Sequence, residues 1–243
     1  MAIVNLNDDQ YCKILSSRPT YKGGESKLYA FVDRDGDYKL FKMFLFNFED
    51  ERKTKEEMIK KVYERAFSEN IKIYDLVYYD NTFLGYVMNL KLNSRKLSQY
   101  NDLPEAEKLL FLKSLRDELD QFHDRGVVYG DIKEDNIQVS NRKNNYDVCF
   151  SDIDNVFIDD MKPSWIRTDI KKYIDQVGYV DFKLDSYMFN LLTMRFLNMN
   201  SKELSCKEEE INKIKSEMNN LDSNYSGEYI VDNIAIKNRG VVK

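Results

Sequence analysis

A single histidine, His123, serves the whole 243-residue chain, which removes at once most metal sites and catalytic schemes built on imidazole. Chemistry is left to carboxylates, amides and lysines. The three cysteines, Cys12, Cys149 and Cys206, lie far apart with no CxxC pair, so neither a disulfide framework nor a zinc site is suggested and reduced thiols in cytosol fit best. The candidate groups gather in two acidic segments, Asp131-Ile132-Lys133-Glu134-Asp135-Asn136 and Ser151-Asp152-Ile153-Asp154-Asn155. Placing several acidic and amide oxygens together without a metal would cost stability through repulsion.

The elements that must position these segments can be read from periodicity. SKLYAFV, a DRDGD turn at 33 to 37 and YKLFKMFLF read as a hairpin over 26 to 46, with β-branched and aromatic residues on either side of a Gly-bearing turn. In the charged stretch that follows, Met58, Ile59, Val62, Tyr63 and Phe67 recur at helical spacing, which predicts an amphipathic helix. KIYDLVYY and TFLGYVMNL, separated by Asp80-Asn81, predict a second hairpin. From Pro104 a helix should run to about Arg125, with Leu112, Leu115, Leu119 and Phe122 on one stripe and Gly126 as its stop.

That helix delivers the chain to GVVYGDIKEDNIQVS. IQV and YDVCF then flank a polar SNRKNN loop, a third hairpin that sits between the two acidic segments. DSYMFNLLTMRFL reads as a buried helix and SKELSCKEEEINKIKSEMNN as a charged, exposed one. Residues 222 to 243 are polar and weakly patterned. There is no internal repeat and no Pro-rich linker.

Asp131, Lys133 and Asn136 have the D-x-K-x-x-N spacing of the protein-kinase catalytic loop, and Asp152 follows one hairpin later, where a kinase carries its metal-binding DFG loop. Upstream, Lys42 in LFKMF resembles the strand lysine of the VAIK motif. In this order the motifs resemble the eukaryotic-like protein kinase superfamily over about residues 12 to 200. The resemblance implies an α+β, two-lobed protein-kinase-like fold: an antiparallel-sheet N-lobe over 1–90 and a mostly helical, shortened C-lobe over 91–243. It implies that Asp131 receives the proton of the acceptor hydroxyl, that Lys133 neutralises the transferred phosphoryl group, and that Asn136 and Asp152 hold magnesium or manganese.

Lys42 would pair with the ATP phosphates and be positioned by Glu57, with Glu56 one residue away. Gly23 and Gly24 would let a loop approach the phosphates. Met88 would stand at the gatekeeper position, adenine would meet the backbone near Asn89 and Leu90, and Asp185 would brace the catalytic loop from below.

Several positions depart from the family pattern. Tyr129-Gly130-Asp131 replaces HRD, so the arginine that binds an activation-loop phosphate is missing and regulation of that kind is not expected. Asp154 stands in place of the DFG glycine, no APE sequence follows, and the segment after Asp185 is short for a full set of substrate-docking helices. Ser164 and Thr168 are possible modification sites without local support.

The expected function is an ATP-dependent phosphotransferase of serine/threonine-kinase type. A small-molecule kinase similar to aminoglycoside and choline kinases, or a pseudokinase-like nucleotide-binding module, is the alternative. A net charge of -5 with a pI near 5.2 argues against a nucleic-acid partner. The start lacks a signal peptide and no apolar run approaches the ~20 residues that span a bilayer, so no membrane partner and a cytoplasmic location are expected.

Overall fold

The computed structural model describes residues 1–65, 72–91, 94–142, 145–163, 166–199, 204–220 and 225–236. Phe67, Ser164, and parts of the SNRKNN loop and of the 222–243 segment lie outside them. The fold is α+β, with a mixed six-stranded sheet and six α-helices among the described residues. The chain divides into two compact units, Met1–Asn93 and Ser94–Lys243. No helix of the described residues is long and apolar enough to cross a membrane.

The first unit holds β1 (Ala2–Leu6), α1 (Asp8–Ser16), β2 (Tyr21–Lys22), β3 (Ser26–Val32), β4 (Tyr38–Phe44), α2 (Glu49–Glu64), β5 (Ile73–Tyr79) and β6 (Thr82–Asn89), with sheet order β1-β5-β6-β4-β3-β2. Its sheet is not the purely antiparallel one expected. β1 runs parallel to β5 along one edge, pairing Ala2 with Asp75 and Leu6 with Tyr79. Five short residues whose partner lies some seventy positions away carry little local signal, which is why the strand is not apparent from sequence.

α1 follows directly, started by a capping box in which Asn7 and Gln10 exchange side-chain-to-backbone hydrogen bonds at 2.9 and 3.0 Å. Ile14 of α1 packs with Tyr29, Phe41, Met43, Val77 and Val87 on one face of the sheet. α2 packs through Met58, Ile59 and Val62. β4 is buried at every position after Tyr38, so YKLFKMF reads as a continuous apolar run interrupted by lysines rather than as an alternation.

Local turn chemistry sets the registers. Asp80 and Asn81 both have positive φ (47° and 57°) and join β5 to β6 in a two-residue turn that places Tyr79 opposite Thr82. The β3–β4 turn is closed by Asp33 Oδ1, which accepts from the N–H groups of Asp35 (3.0 Å) and Asp37 (2.9 Å), with Gly36 in the left-handed region. At Gly85 of β6 the backbone of β4 comes so close that an added Cβ would stand 1.9 Å from the Lys42 carbonyl oxygen. Only glycine lets β6 seat beside the strand that carries Lys42.

The second unit contains β7 (Ser94–Lys96), α3 (Glu105–His123), β8 (Val127–Val128), β9 (Ile137–Arg142), β10 (Asn145–Phe150), β11 (Phe157–Ile158), α4 (Thr168–Val177), α5 (Phe182–Leu197), β12 (Leu204–Cys206), α6 (Glu208–Asn220) and β13 (Ile234–Ile236). Its strands form a three-stranded sheet, β10-β9-β7, and two small pairs, β11-β8 and β12-β13. α3 buries Leu109, Leu112, Leu115, Leu119 and Phe122 and is flanked by Pro104 and by Gly126 at φ 71°. The hairpin of β9 and β10 runs from Asn145–Arg142 to Phe150–Ile137.

Two expectations change here. The charged helix begins at Glu208 rather than near 201, because Leu204–Cys206 is taken up as a strand against β13. The segment read as weakly patterned packs on α5: Asn190 donates to Glu228 O at 2.8 Å, accepts from Ile230 N at 2.8 Å, and buries Ile230 and Val231 beside it. Tyr225 hydroxyl lies 3.1 Å from Ser186 Oγ and 3.0 Å from Asn190 Nδ2. One buried asparagine on a helix thus ties down a strap whose own pattern is too short to announce itself.

Candidate functional site

The 129–136 segment of the second unit is held at both ends. Val128 pairs with Phe157 across β8 and β11, and Asn136 closes a short 3-10 turn before β9. Between them Gly130 has φ 73°. Two successive amides meet one acceptor there: Tyr129 N donates to Asp185 Oδ2 and Gly130 N to Asp185 Oδ1, both at 2.7 Å. Asp185 sits on α5 and is fully buried, and His123 Nε2 of α3 stands 3.0 Å from its Oδ2. The aspartate therefore braces the loop from beneath, in the position expected.

With the loop so fixed, Asp131 becomes the meeting point of three donors. Lys133 Nζ reaches Oδ2 at 2.6 Å, Asn136 Nδ2 reaches the same oxygen at 2.8 Å and the Asp131 carbonyl at 3.1 Å, and Arg167 Nη1 reaches Oδ1 at 3.2 Å. The carboxylate is nearly buried, so these charge-assisted bonds fix its rotamer. The D-x-K-x-x-N spacing works because the 3-10 turn folds Asn136 back over the aspartate five residues earlier.

The second acidic segment is tied to the first through the chain between them. Ser151 N donates to Asn136 O at 2.7 Å and Ser151 Oγ to the same oxygen at 3.0 Å. Asp152, the next residue, has φ 61°, a left-handed conformation that aspartate adopts more readily than most residues. Tyr129 hydroxyl also donates to the Ser151 carbonyl. Burial, and then the carboxylates of Asp152, Asp131, Asp154 and Asp185, push the Tyr129 phenol well above its usual range, so it stays a neutral donor. Asp154 is itself buried, and it faces the interior rather than open solvent.

Asn136 Nδ2 is committed to Asp131, so its Oδ1 is the oxygen that could face a cation, and Asp152 follows one residue after the Ser151–Asn136 bonds. Oxygen groups of this kind are the ones magnesium takes, with waters and phosphate oxygens in its remaining positions. Among the described residues no three His, Cys, Asp or Glu side chains are grouped to hold a metal ion by themselves.

Gly130 has a second constraint. A Cβ there would stand 2.5 Å from Phe157 Cε2, on top of a left-handed backbone. Gly130→Ala is therefore expected to destabilise the protein by about 2–3 kcal/mol, roughly 1 kcal/mol from the backbone and the remainder from overpacking. Urea denaturation measures it; a loss below about 0.5 kcal/mol would mean that the Phe157 ring gives way freely.

The first unit carries the remaining candidates. Lys42 on β4 is buried, with Nζ 5.6 Å from the Phe44 ring centroid. Glu57 is exposed on α2, whereas Glu56 is half-buried and accepts from Tyr78 hydroxyl at 2.6 Å and Lys60 Nζ at 2.5 Å. Gly23 and Gly24 form the turn between β2 and β3, closed by Gly23 N donating to Ser26 O at 2.9 Å. Neither has a positive φ, and an added Cβ at Gly24 would meet nothing within 4 Å. The fold does not require glycine at either position.

Met88 is half-buried between Leu40 and Ile73 in register. The N–H of Asn89 donates to Lys72 O at 3.1 Å and that of Leu90 to Tyr38 O at 3.3 Å. The backbone N–H groups of both residues expected near adenine are thus engaged in the unit's own backbone pairing.

Three residues were missed by sequence reasoning. Arg167 left no signal, being 36 residues from Asp131. Tyr129 stood inside the motif but was counted only as a departure from it. Lys55 was detectable: it shares the buried face of α2 with Met58, Ile59 and Val62 at helical spacing, and its Nζ lies 5.4 Å from the same Phe44 ring that Lys42 approaches. The sequence matches no protein-family model, and comparison with curated proteins finds no relative.

Proposed function

We propose that the chain is an ATP-dependent phosphotransferase, a two-lobed enzyme similar to serine/threonine protein kinases that moves the γ-phosphate to a hydroxyl. The observation that carries the reading is the convergence of Lys133, Asn136 and Arg167 on a nearly buried Asp131, with Asn136 bonded directly to the residue before Asp152. A scaffold has no need to hold one carboxylate by three donors and to bond the segment that carries a second one, Asp152, to the same asparagine. Phosphoryl transfer does, since its catalysis is mostly positioning and charge stabilisation.

The roles follow from the atoms. Asp131 orients the acceptor hydroxyl and takes its proton as the oxygen bonds to the γ-phosphorus and the bond to the ADP oxygen breaks. Lys133, already 2.6 Å from Asp131, lends its charge to the transferred phosphoryl oxygens. Asn136 and Asp152 would hold magnesium, whose charge offsets that of the phosphates. Lys42 is assigned to the ATP phosphates and the Gly23–Gly24 turn to their cover. Tyr129 keeps the two acidic segments in step through its bond to Ser151. A small hydroxylated acceptor is the second reading, favoured by Gly130, whose tight fit against Phe157 leaves no room for a side chain at the position where protein kinases carry a regulatory arginine.

Transfer of labelled γ-phosphate from magnesium ATP to the protein itself and to a generic basic protein, for the wild type and Asp131→Ala, tests the reading. Label that vanishes in Asp131→Ala supports it. A wild type that binds ATP but neither hydrolyses nor transfers the γ-phosphate, with magnesium or manganese, rejects it.

A further inference from the structure

The two oxygens of Asp131 are used differently. Lys133 and Asn136, both from the loop itself, act on Oδ2, while Oδ1 receives Arg167 Nη1 at 3.2 Å from just before α4. The Arg167 side chain stays 25% exposed in a recess shared with Gly130, Asp131, Asn155, Phe157 and Ile166. Oδ1 is the oxygen not held by the loop's own side chains, and a guanidinium already sits on it.

Resting on the phosphotransferase reading, we infer that Arg167 is a specificity-determining residue that selects acceptors whose hydroxyl lies beside a carboxylate or phosphate. A neutral acceptor must compete with the guanidinium for Oδ1 and, on displacing it, breaks the ion pair with Asp131 and offers no charge in exchange. An anionic acceptor replaces what it removes. Its carboxylate or phosphate takes the planar guanidinium through paired N–H···O bonds, the charge stays compensated, and Oδ1 is released to the hydroxyl. A basic acceptor meets repulsion instead, so the same side chain works for one partner and against another. Apolar Phe157 and Ile166 in the recess wall strengthen the discrimination by limiting solvent screening.

The required anion could belong to an acidic protein segment or to a small hydroxy acid. Two probe pairs separate these sources: a serine peptide flanked by aspartates against the same peptide flanked by lysines, and glycerate against glycerol. With the full chain and magnesium ATP, the wild type should show a kcat/KM about 10-fold or more higher for the anionic member of at least one pair, expressed in KM. The pair that responds identifies the source. Arg167→Ala should erase that preference by raising KM for the anionic acceptor, and Arg167→Lys, which keeps the charge but loses the fork, should retain part of it. Circular dichroism confirms the fold of each variant, and Arg167→Gln serves if Arg167→Ala is unfolded.

An active wild type without charge preference overturns the inference. So does an Arg167→Ala enzyme whose kcat falls equally for every acceptor with the preference intact, because Arg167 would then merely hold Asp131. A wild type that neither transfers phosphate nor hydrolyses ATP fails earlier, at the phosphotransferase reading, and takes the inference with it.

Discussion

Asp131→Asn is expected to lower phosphate transfer by about 10³-fold, within the range for loss of a positioned general base, while the protein remains folded. Shape is preserved but the acceptor count is not. The carboxylate satisfies Lys133 and Asn136 on Oδ2 and Arg167 on Oδ1; an asparagine offers one oxygen to these donors and turns an NH₂ toward the rest. Whichever way the amide is oriented, a lysine or an arginine faces a donor instead of an acceptor. In the proposed reaction the hydroxyl proton also loses its destination. Single-turnover transfer, measured together with thermal melting, separates the two consequences: a drop in rate far larger than the change in folded fraction places Asp131 in the reaction. Transfer retained within about 10-fold would reduce Asp131 to a structural carboxylate and move the chemistry elsewhere.

The parts of the fold that are legible in the sequence are those whose cause is local. α2 is visible because Met58, Ile59 and Val62 repeat at helical spacing, and the β5–β6 hairpin because Asp80 and Asn81 tolerate the positive φ of a two-residue turn. α4 could have been read and was not, since Ile170, Tyr173, Ile174 and Val177 recur at helical spacing and Gly178 at φ 84° stops the helix. β1 and β13 are different in kind. Each is short, and each is stabilised by a partner distant in sequence, Ile73–Tyr79 and Leu204–Cys206 respectively.

The site divides along the same line. Asp131, Lys133 and Asn136 are within six consecutive positions, so their spacing already contains their geometry. Arg167 reaches Asp131, and Tyr129 reaches Ser151, only because hairpins and helices in between return the chain to the same place. Lys55 shows a subtler limit, for a lysine on an otherwise apolar helix face is discounted as solvated until its burial is seen.

Asp185→Ala should cost about 3–5 kcal/mol in urea denaturation, the range for stripping a buried charged group from its partners. The shared acceptor is what makes the cost large. The N–H groups of Tyr129 and Gly130 both meet the two oxygens of this one carboxylate, each at 2.7 Å. Remove that carboxylate and two buried donors lose their acceptor at once, each worth about 1–3 kcal/mol when left unsatisfied, and His123 loses its partner as well. Asp185→Asn should be milder but not neutral, because its NH₂ must oppose one of the two amides. His123→Phe should be milder still: it keeps the stack on Phe182, whose ring centroid lies 4.4 Å away, and leaves both amide bonds in place. Activity should fall further in Asp185→Ala than the unfolded fraction accounts for, since the same two bonds orient the backbone that presents Asp131. If Asp185→Ala loses under about 1 kcal/mol, water reaches the freed amides, and the loop must owe its shape to the β8–β11 pairing instead.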